Sequence, residues 1–309
     1  MPETPVYIFT GFLESGKTTF IRELLKNVTF ATGEKTLYIL CETGIEEIDE
    51  KLLKFNNAVI VNVVNETDID KEFLENLDKK YSPERVLIEY NGFWNIDKIN
   101  DSIMPEWWEI AQTAAIADAS TFSAYMKNMS NIMVNYFKAA DMVLFNRCDK
   151  NTNKLSLRAG VKAVNAKAQV IFKLKNGEID NEDIMPFDIN AEVIKINEYD
   201  YGVWYVDITE NPEKYNEKII VLTGMVHREN TWPKGMFMIY RKAMTCCIED
   251  ITMLQSICYS KNKVPDNNKW IKLTAQVKVN YIKNNKIPLL LVNEYDYTEP
   301  LKDEIVYFY

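Results

Sequence analysis

The stretch Gly11-Phe12-Leu13-Glu14-Ser15-Gly16-Lys17-Thr18 constrains this chain more than any other. It fits the pattern G-x-x-x-x-G-K-[ST]. The apolar run Val6–Phe9 precedes it and the helical pattern Thr18–Leu25 follows it. A phosphate-binding loop needs that layout. Gly11 and Gly16 let the backbone wrap until its N–H groups point inward, and the helix N-terminus adds a positive dipole end. Leu13, Glu14, Ser15 and Thr19 complete the loop and its exit. Lys17 can reach the β- and γ-phosphates, and the Thr18 hydroxyl can ligate Mg²⁺. A nucleotide site is the expectation.

The first 190 residues alternate short apolar runs with helical stretches. The strand candidates are Val6–Phe9, Thr36–Leu40, Ala58–Val64, Val86–Ile88, Thr113–Ala117, Met142–Phe145 and Gln169–Phe172. Most are unbroken apolar runs, as strands covered on both faces require. With helices over Thr18–Leu25, Lys71–Asp78, Met129–Ala139 and Lys154–Val164, this predicts an α/β domain over 1–190 with a mostly parallel sheet. The acidic, Asn-rich stretch Asn181–Asn197 reads as a linker. Over 191–309 the short β-type segments Val203–Ile208, Lys218–Val226, Met236–Arg241, Trp270–Val279 and Pro288–Val292 predict a small all-β, OB-like barrel.

Two further elements refine the nucleotide site. Val86-Leu87-Ile88-Glu89-Tyr90-Asn91-Gly92 ends a strand in an acid, with a glycine three residues on. Glu89 is placed to hold Mg²⁺, and the Gly92 amide to sense the γ-phosphate. The strand Met142–Phe145 runs into Asn146-Arg147-Cys148-Asp149, which resembles the Asn-Lys-x-Asp element of GTPases. A carboxylate at Asp149 accepts the two donors on the guanine edge. Adenine lacks that pair, and a site built for hydrogen bonding rejects such a mismatch. Arg147 stands where lysine is usual, and the two are not equivalent.

Charge and composition exclude other classes. Lys plus Arg number 36 against 45 Asp plus Glu, a net −9, so no nucleic-acid partner is expected. A single histidine, His227, rules out a histidine-cage zinc enzyme. Five cysteines are too few and too irregular for a secreted disulfide framework. No apolar run approaches membrane-span length and no signal peptide is seen, so a reduced, cytoplasmic chain without membrane insertion is expected. Methionines, tyrosines and Trp107-Trp108 read as packing residues, Cys148 as a spacer, Cys258 as a buried hydrophobe and His227 as a hydrogen-bonded surface residue.

These motifs resemble the CobW-like metallochaperone GTPases, over roughly residues 5–185. Thr10–Thr19 is similar to their T-G-F-L-G-S-G-K-T-T. Glu42-Thr43-Gly44-Ile45-Glu46 with Ile48-Asp49 resembles N-E-F-G-E-x-x-I-D, with Cys41 in the asparagine place. Ile88–Gly92 resembles I-E-T-x-G, and Ala117-Asp118-Ala119 resembles V-D-A. Asn165–Ala168 and Asn176–Asp180 resemble the end of that domain. The resemblance implies GTP and GDP as ligands, Mg²⁺ as cofactor, and Glu42 as a Mg²⁺ or metal-responsive switch residue. It also implies a role in zinc-type metal homeostasis, with a metal-receiving protein as partner. One departure matters. The family's C-x-C-C motif has no counterpart, since Asn65–Lys71 contains no cysteine.

The segment from about Tyr201 resembles a small β-rich domain found beside predicted bacterial membrane permeases. Gly224, Arg241, Met244–Asp250 and Trp270-Ile271 carry that resemblance. It opens a second reading, a GTP-dependent adaptor for a permease that carries no metal. Cys246 and Cys247 are the remaining thiol pair. They are a candidate Zn²⁺ site, weighed against simple burial in the β-core. Slow hydrolysis is expected, because no water-positioning glutamine or arginine finger is evident.

Overall fold

The computed structural model describes residues 3–42, 44, 48–180, 185–244, 251–282 and 285–307. It divides into two units, Met1–Thr152 with Val164–Asn181, and Asn153–Ala163 with Glu182–Tyr309.

The first unit is built on a parallel sheet. Its strands are β1 (Thr4–Thr10), β2 (Thr36–Leu40), β3 (Ala58–Asn62), β4 (Arg85–Glu89), β5 (Trp108–Asp118), β6 (Met142–Cys148) and β7 (Gln169–Leu174). They lie in the order β3-β2-β4-β1-β5-β6-β7, and each neighbouring pair is parallel. The helices are α1 (Lys17–Lys26), α2 (Glu50–Phe55), α3 (Lys71–Tyr81) and α4 (Phe122–Ala139), with α5 (Lys154–Val164) largely grouped with the second unit.

The unbroken apolar runs are explained by what covers them. Ile8, Leu37, Ile39, Val86 and Ile88 pack on one side of the sheet with Leu74 and Leu77 of α3. Phe9, Tyr38, Leu87, Ile116 and Leu144 pack on the other with Ile21 and Leu25 of α1. Successive residues of a strand therefore feed opposite cores, and both need apolar side chains. Each such Leu or Ile contributes about 1.5–3 kcal/mol of burial. Because the strands run one way, the loops after β1, β2, β4, β5, β6 and β7 all emerge at the same edge, where α/β sheets bind ligands.

The second unit is a barrel. Its strands are β8 (Val193–Lys195), β9 (Ile219–His227), β10 (Met236–Met244), β11 (Ile251–Tyr259), β12 (Trp270–Ile282), β13 (Asn285–Tyr297) and β14 (Ile305–Tyr307), with helix α6 (Tyr201–Glu210). The order β10-β11-β13-β12-β9 closes through a β10–β9 pairing, and β14 and β8 flank it. Strands β11 and β13 run parallel; the other pairs around the closed ring are antiparallel. This is the expected five-stranded, OB-like barrel. Strand β9 alternates strictly, with Ile220, Leu222 and Val226 inside. At Gly224 a Cβ would stand 2.8 Å from Ile239 and 2.9 Å from the Tyr240 carbonyl, so glycine is required where β9 meets β10. Arg241 is 2% exposed and donates to the carbonyls of Glu198 (2.7 Å) and Asp303, tying two chain segments to the barrel wall.

Three expectations need correction. The stretch Asn181–Asn197 does not end as a linker: it forms β8, and Ile194 and Ile196 enter the barrel core. Val203–Ile208 is not a strand but the middle of α6. Its β-branched and aromatic residues favour strands, yet Tyr201, Trp204 and Ile208 fall at helical spacing and enter the barrel core. Strand β11 was not expected. Gln255 and Ser256 break its apolar pattern, and Ser256 is buried alongside Leu254 and Cys258.

Candidate functional site

The loop after β1 takes its shape from backbone freedom and close approach. Gly11 (φ 136°) and Gly16 (φ 104°) are in conformations that side chains resist. A Cβ on Gly11 would strike the Ile116 carbonyl, and one on Gly16 the Asn146 amide. A Cβ on Gly92 would strike the Gly11 carbonyl, so Gly92 serves as the floor beneath this loop. Glu14 also lies in the left-handed region (φ 62°), at the place where the resembling segment has glycine. Helix α1 starts at Lys17 with no side-chain cap on Gly16. Its first amides are thus left for an anion.

Lys17 is 3% exposed. Its Nζ donates to the carbonyls of Gly11 (2.7 Å) and Phe12 (3.0 Å) and to Glu42 Oε2 (2.5 Å). Glu42 follows β2 and is itself nearly buried. The neighbouring Thr18 hydroxyl donates to Glu89 Oε1 at 2.8 Å. The register that sets Glu89 beside Phe9 and Leu40 brings these groups together from three strands.

Glu89 is buried, and burial raises its carboxyl above the ordinary 4.5; hydrogen bonds from Tyr38 and Thr18 and the charge of Lys17 oppose that rise. The Tyr38 hydroxyl donates to Glu89 Oε2 from mid-β2. Sequence reasoning missed this tyrosine, because inside the run Thr36–Leu40 it reads only as core. Beside them the Cys41 thiol is pushed up to about 12 by burial and by the carboxylates of Glu89 and Glu42, so it stays protonated.

The guanine-type element is aimed by a bulge. The β6–β7 register shifts between Phe145 and Cys148, and Arg147 takes a left-handed φ of 56°. Asn146 then donates to the Ser15 carbonyl at 3.3 Å. Arg147 donates to the Glu14 carbonyl at 2.8 Å and pairs with Asp118 at the end of β5. Burial raises the Asp118 carboxyl, but bonds from Ser120 and Arg147 outweigh it and hold it below its usual value. Asp118 and Arg147 thus fasten the loop, a pairing that the sequence did not suggest.

A cavity of about 200 Å³ opens here. It is lined by Leu13, Glu14, Gly16, Lys17, Thr18, Thr19, Glu42, Gly44, Glu89 and Arg147. Asp149 does not line it. It sits on the loop after β6, where its carboxylate accepts from Lys175 Nζ (2.7 Å) and Asn151 N (3.0 Å), bonds that hold it below the usual carboxylate range. Ser15 does not line the cavity either, and its buried hydroxyl has no protein partner. The donors around Thr18 (its hydroxyl and the carboxylates of Glu42 and Glu89) are all oxygens. That chemistry suits a hard divalent cation such as Mg²⁺.

Among the described residues no group of three or more His, Cys, Asp or Glu is arranged to hold a metal ion. The interval that lacks the expected thiols forms a short turn of helix, Glu66–Asp68, and the Asp70 cap of α3. Cys246 and Cys247 lie outside the described residues, as do Thr43, Ile45 and Glu46. No helix among the described residues is long and apolar enough to cross a membrane.

The chain is 27% identical over 160 residues to the zinc chaperone YeiR of Escherichia coli (strain K12), an alignment covering 48% of each protein. It therefore spans about half the length of that relative. It aligns with the Zn(II)-bound YjiA GTPase from E. coli (20% identity, 98% of this chain and 92% of that one, TM-score 0.44). It also aligns with the hydrogenase maturation factor HypB from Archaeoglobus fulgidus (16% identity, 56% and 82%, TM-score 0.41). Residues 174–308 match the DUF1980 C-terminal domain. Residues 5–172, more than half of the chain, match the CobW/HypB/UreG nucleotide-binding domain, and the protein belongs to that family of P-loop GTPases.

Proposed function

We propose that the protein binds GTP with Mg²⁺, hydrolyses it to GDP by in-line attack of water, and couples this cycle to zinc-type metal homeostasis. The observation that carries the reading is the convergence of Lys17 with Glu42 and of Thr18 with Glu89 on one cavity at the mouth of an uncapped helix. Lys17 and the first amides of α1 take the phosphates, and the phosphate oxygens replace Glu42 as the partner of Lys17. Mg²⁺, when bound, neutralises charge on the transferring phosphoryl group. Thr18, Glu89 and Glu42 are the residues that would hold it. Gly92 presents its amide beneath the loop. Asn146 and Arg147 brace the loop while Asp149 selects guanine, exchanging Lys175 for the base edge.

Turnover is slow without a partner. Arg147, a cation on the cavity wall, is committed to Asp118 and the Glu14 carbonyl, so no arginine is free there to act as a finger. An intrinsic rate on the order of 10⁻⁴ s⁻¹ fits a site with no such arginine. The similarity to a zinc chaperone supports zinc as cargo for a metal-receiving protein. A second reading, a GTP-dependent adaptor that carries no metal, is favoured by the thiol-free interval Asn65–Lys71.

Metal analysis of protein purified without chelator, with and without GTP, separates the two. Stoichiometric zinc that responds to GTP and is lost in the Cys246→Ser/Cys247→Ser variant supports delivery through that pair. Zinc-free protein in both states supports the adaptor.

A further inference from the structure

The outer wall of the barrel carries a cluster that the nucleotide site does not use. In β9 the inward residues are Ile220, Leu222, Gly224 and Val226, so Met225 and His227 face outward together. In β10 the inward residues are Phe237 and Ile239, so Met238 and Tyr240 share the outer face. The antiparallel register pairs Met238 with His227 and Tyr240 with Met225. Side chains so opposed have Cβ atoms about 4.5–5.5 Å apart. The Tyr240 hydroxyl donates to Met225 Sδ at 3.0 Å. Trp232, from the β9–β10 connection, stands edge-on to the His227 ring at 5.4 Å between centroids, and Tyr240 stands edge-on to it at 6.5 Å.

The only imidazole in 309 residues thus shares a face with Met225 on its own strand and stands opposite Met238, against the rings of Trp232 and Tyr240. Met225, His227, Trp232 and Met238 are all partly exposed, so the cluster is reachable from solvent. Its donors are two sulfurs and a nitrogen. The carboxylate of Glu229 lies 3.7 Å from His227 Nε2. Thioethers select soft ions, imidazole accepts copper, and hard divalent cations prefer oxygen.

We propose that Met225, His227 and Met238, walled by Trp232 and Tyr240, form a binding site for copper(I), with silver(I) as its redox-inert surrogate. The site is independent of the nucleotide reading and of the Cys246/Cys247 pair.

The test uses the full chain carrying Cys246→Ser and Cys247→Ser, so that those thiols do not compete. Silver(I) is titrated while tryptophan emission is followed, and stoichiometry is read by native mass spectrometry. One equivalent is expected to bind and quench emission. Adding Met225→Leu and Met238→Leu should weaken binding by roughly 100-fold or more, and so should adding His227→Ala. Leucine nearly conserves the methionine volume, so circular dichroism and GTP binding should not change. Copper(I) delivered anaerobically should compete with silver(I), and zinc(II) should not. Absence of binding, equal binding in the leucine or alanine variants, or displacement by zinc(II) would overturn the proposal.

Discussion

Thr18 and Glu89, 71 residues apart in sequence, meet at 2.8 Å through the Thr18 hydroxyl, while Tyr38 occupies the other oxygen of the same buried carboxylate. Glu89 is therefore held from both sides, with Lys17 and its partner Glu42 beside it.

A consequence appears in the pH dependence of stability without ligands. Burial raises the Glu89 carboxyl above its unfolded value of 4.5. A raised carboxyl stabilises the fold fully below the unfolded value, and that contribution is lost as pH rises through the folded one. Glu89→Gln removes the titration. The melting temperature of the parent, relative to Glu89→Gln, should fall as pH goes from about 4 to 7. Parallel profiles for the two proteins would show that the site does not perturb Glu89.

Lys17→Ala should abolish measurable hydrolysis and sharply weaken triphosphate binding while leaving the fold intact. Lys17 lines an open cavity, and its bonds to Gly11 and Phe12 end on carbonyls of a loop. Loss of one preorganised donor to a developing anion costs on the order of 10²–10³ in rate. Hydrolysis at the parent rate would remove Lys17 from the phosphate site.

Glu14→Gly should tighten triphosphate binding. Glu14 puts a carboxylate on the cavity rim and holds a left-handed φ where the family segment has glycine. The gain should be on the order of 0.5–1 kcal/mol and shrink with added salt, because the charge is exposed. Weaker binding in the variant would mean that Glu14 contacts the ligand favourably.

Asp149→Asn should weaken GTP, because the charge-assisted hydrogen bonds to the base edge are lost. It should improve xanthosine triphosphate, since an amide can donate to the 2-oxo group. Competition binding reads both changes, and an unchanged preference for GTP would clear Asp149 of base selection.

The sheet and the loop were legible because the physics is local. Strands β2 and β4 carry unbroken apolar runs, Leu37–Leu40 and Val86–Ile88, since both faces are covered, and Gly11, Gly16 and Lys17 sit in a fixed pattern. What could not be read depends on distant partners. Tyr38 comes to hold the Glu89 carboxylate only because β2 lies beside β4 in a register that aligns Leu40 with Glu89. Arg147 reaches Asp118 only because a bulge turns it, and the bulge leaves no mark in the residue types. Helix α6 was misread because Val203, Trp204, Tyr205 and Val206 favour strands, and burial against the barrel core outweighs that preference.

The central claim is a guanine-specific nucleotide site, and isothermal titration of the full chain with GTP and with ATP, each with Mg²⁺, tests it most directly. GTP should bind at one site per chain, and ATP at least about tenfold more weakly, because Asp149 finds no paired donors on adenine. Equal affinity for the two nucleotides, or no binding of either, would contradict the account.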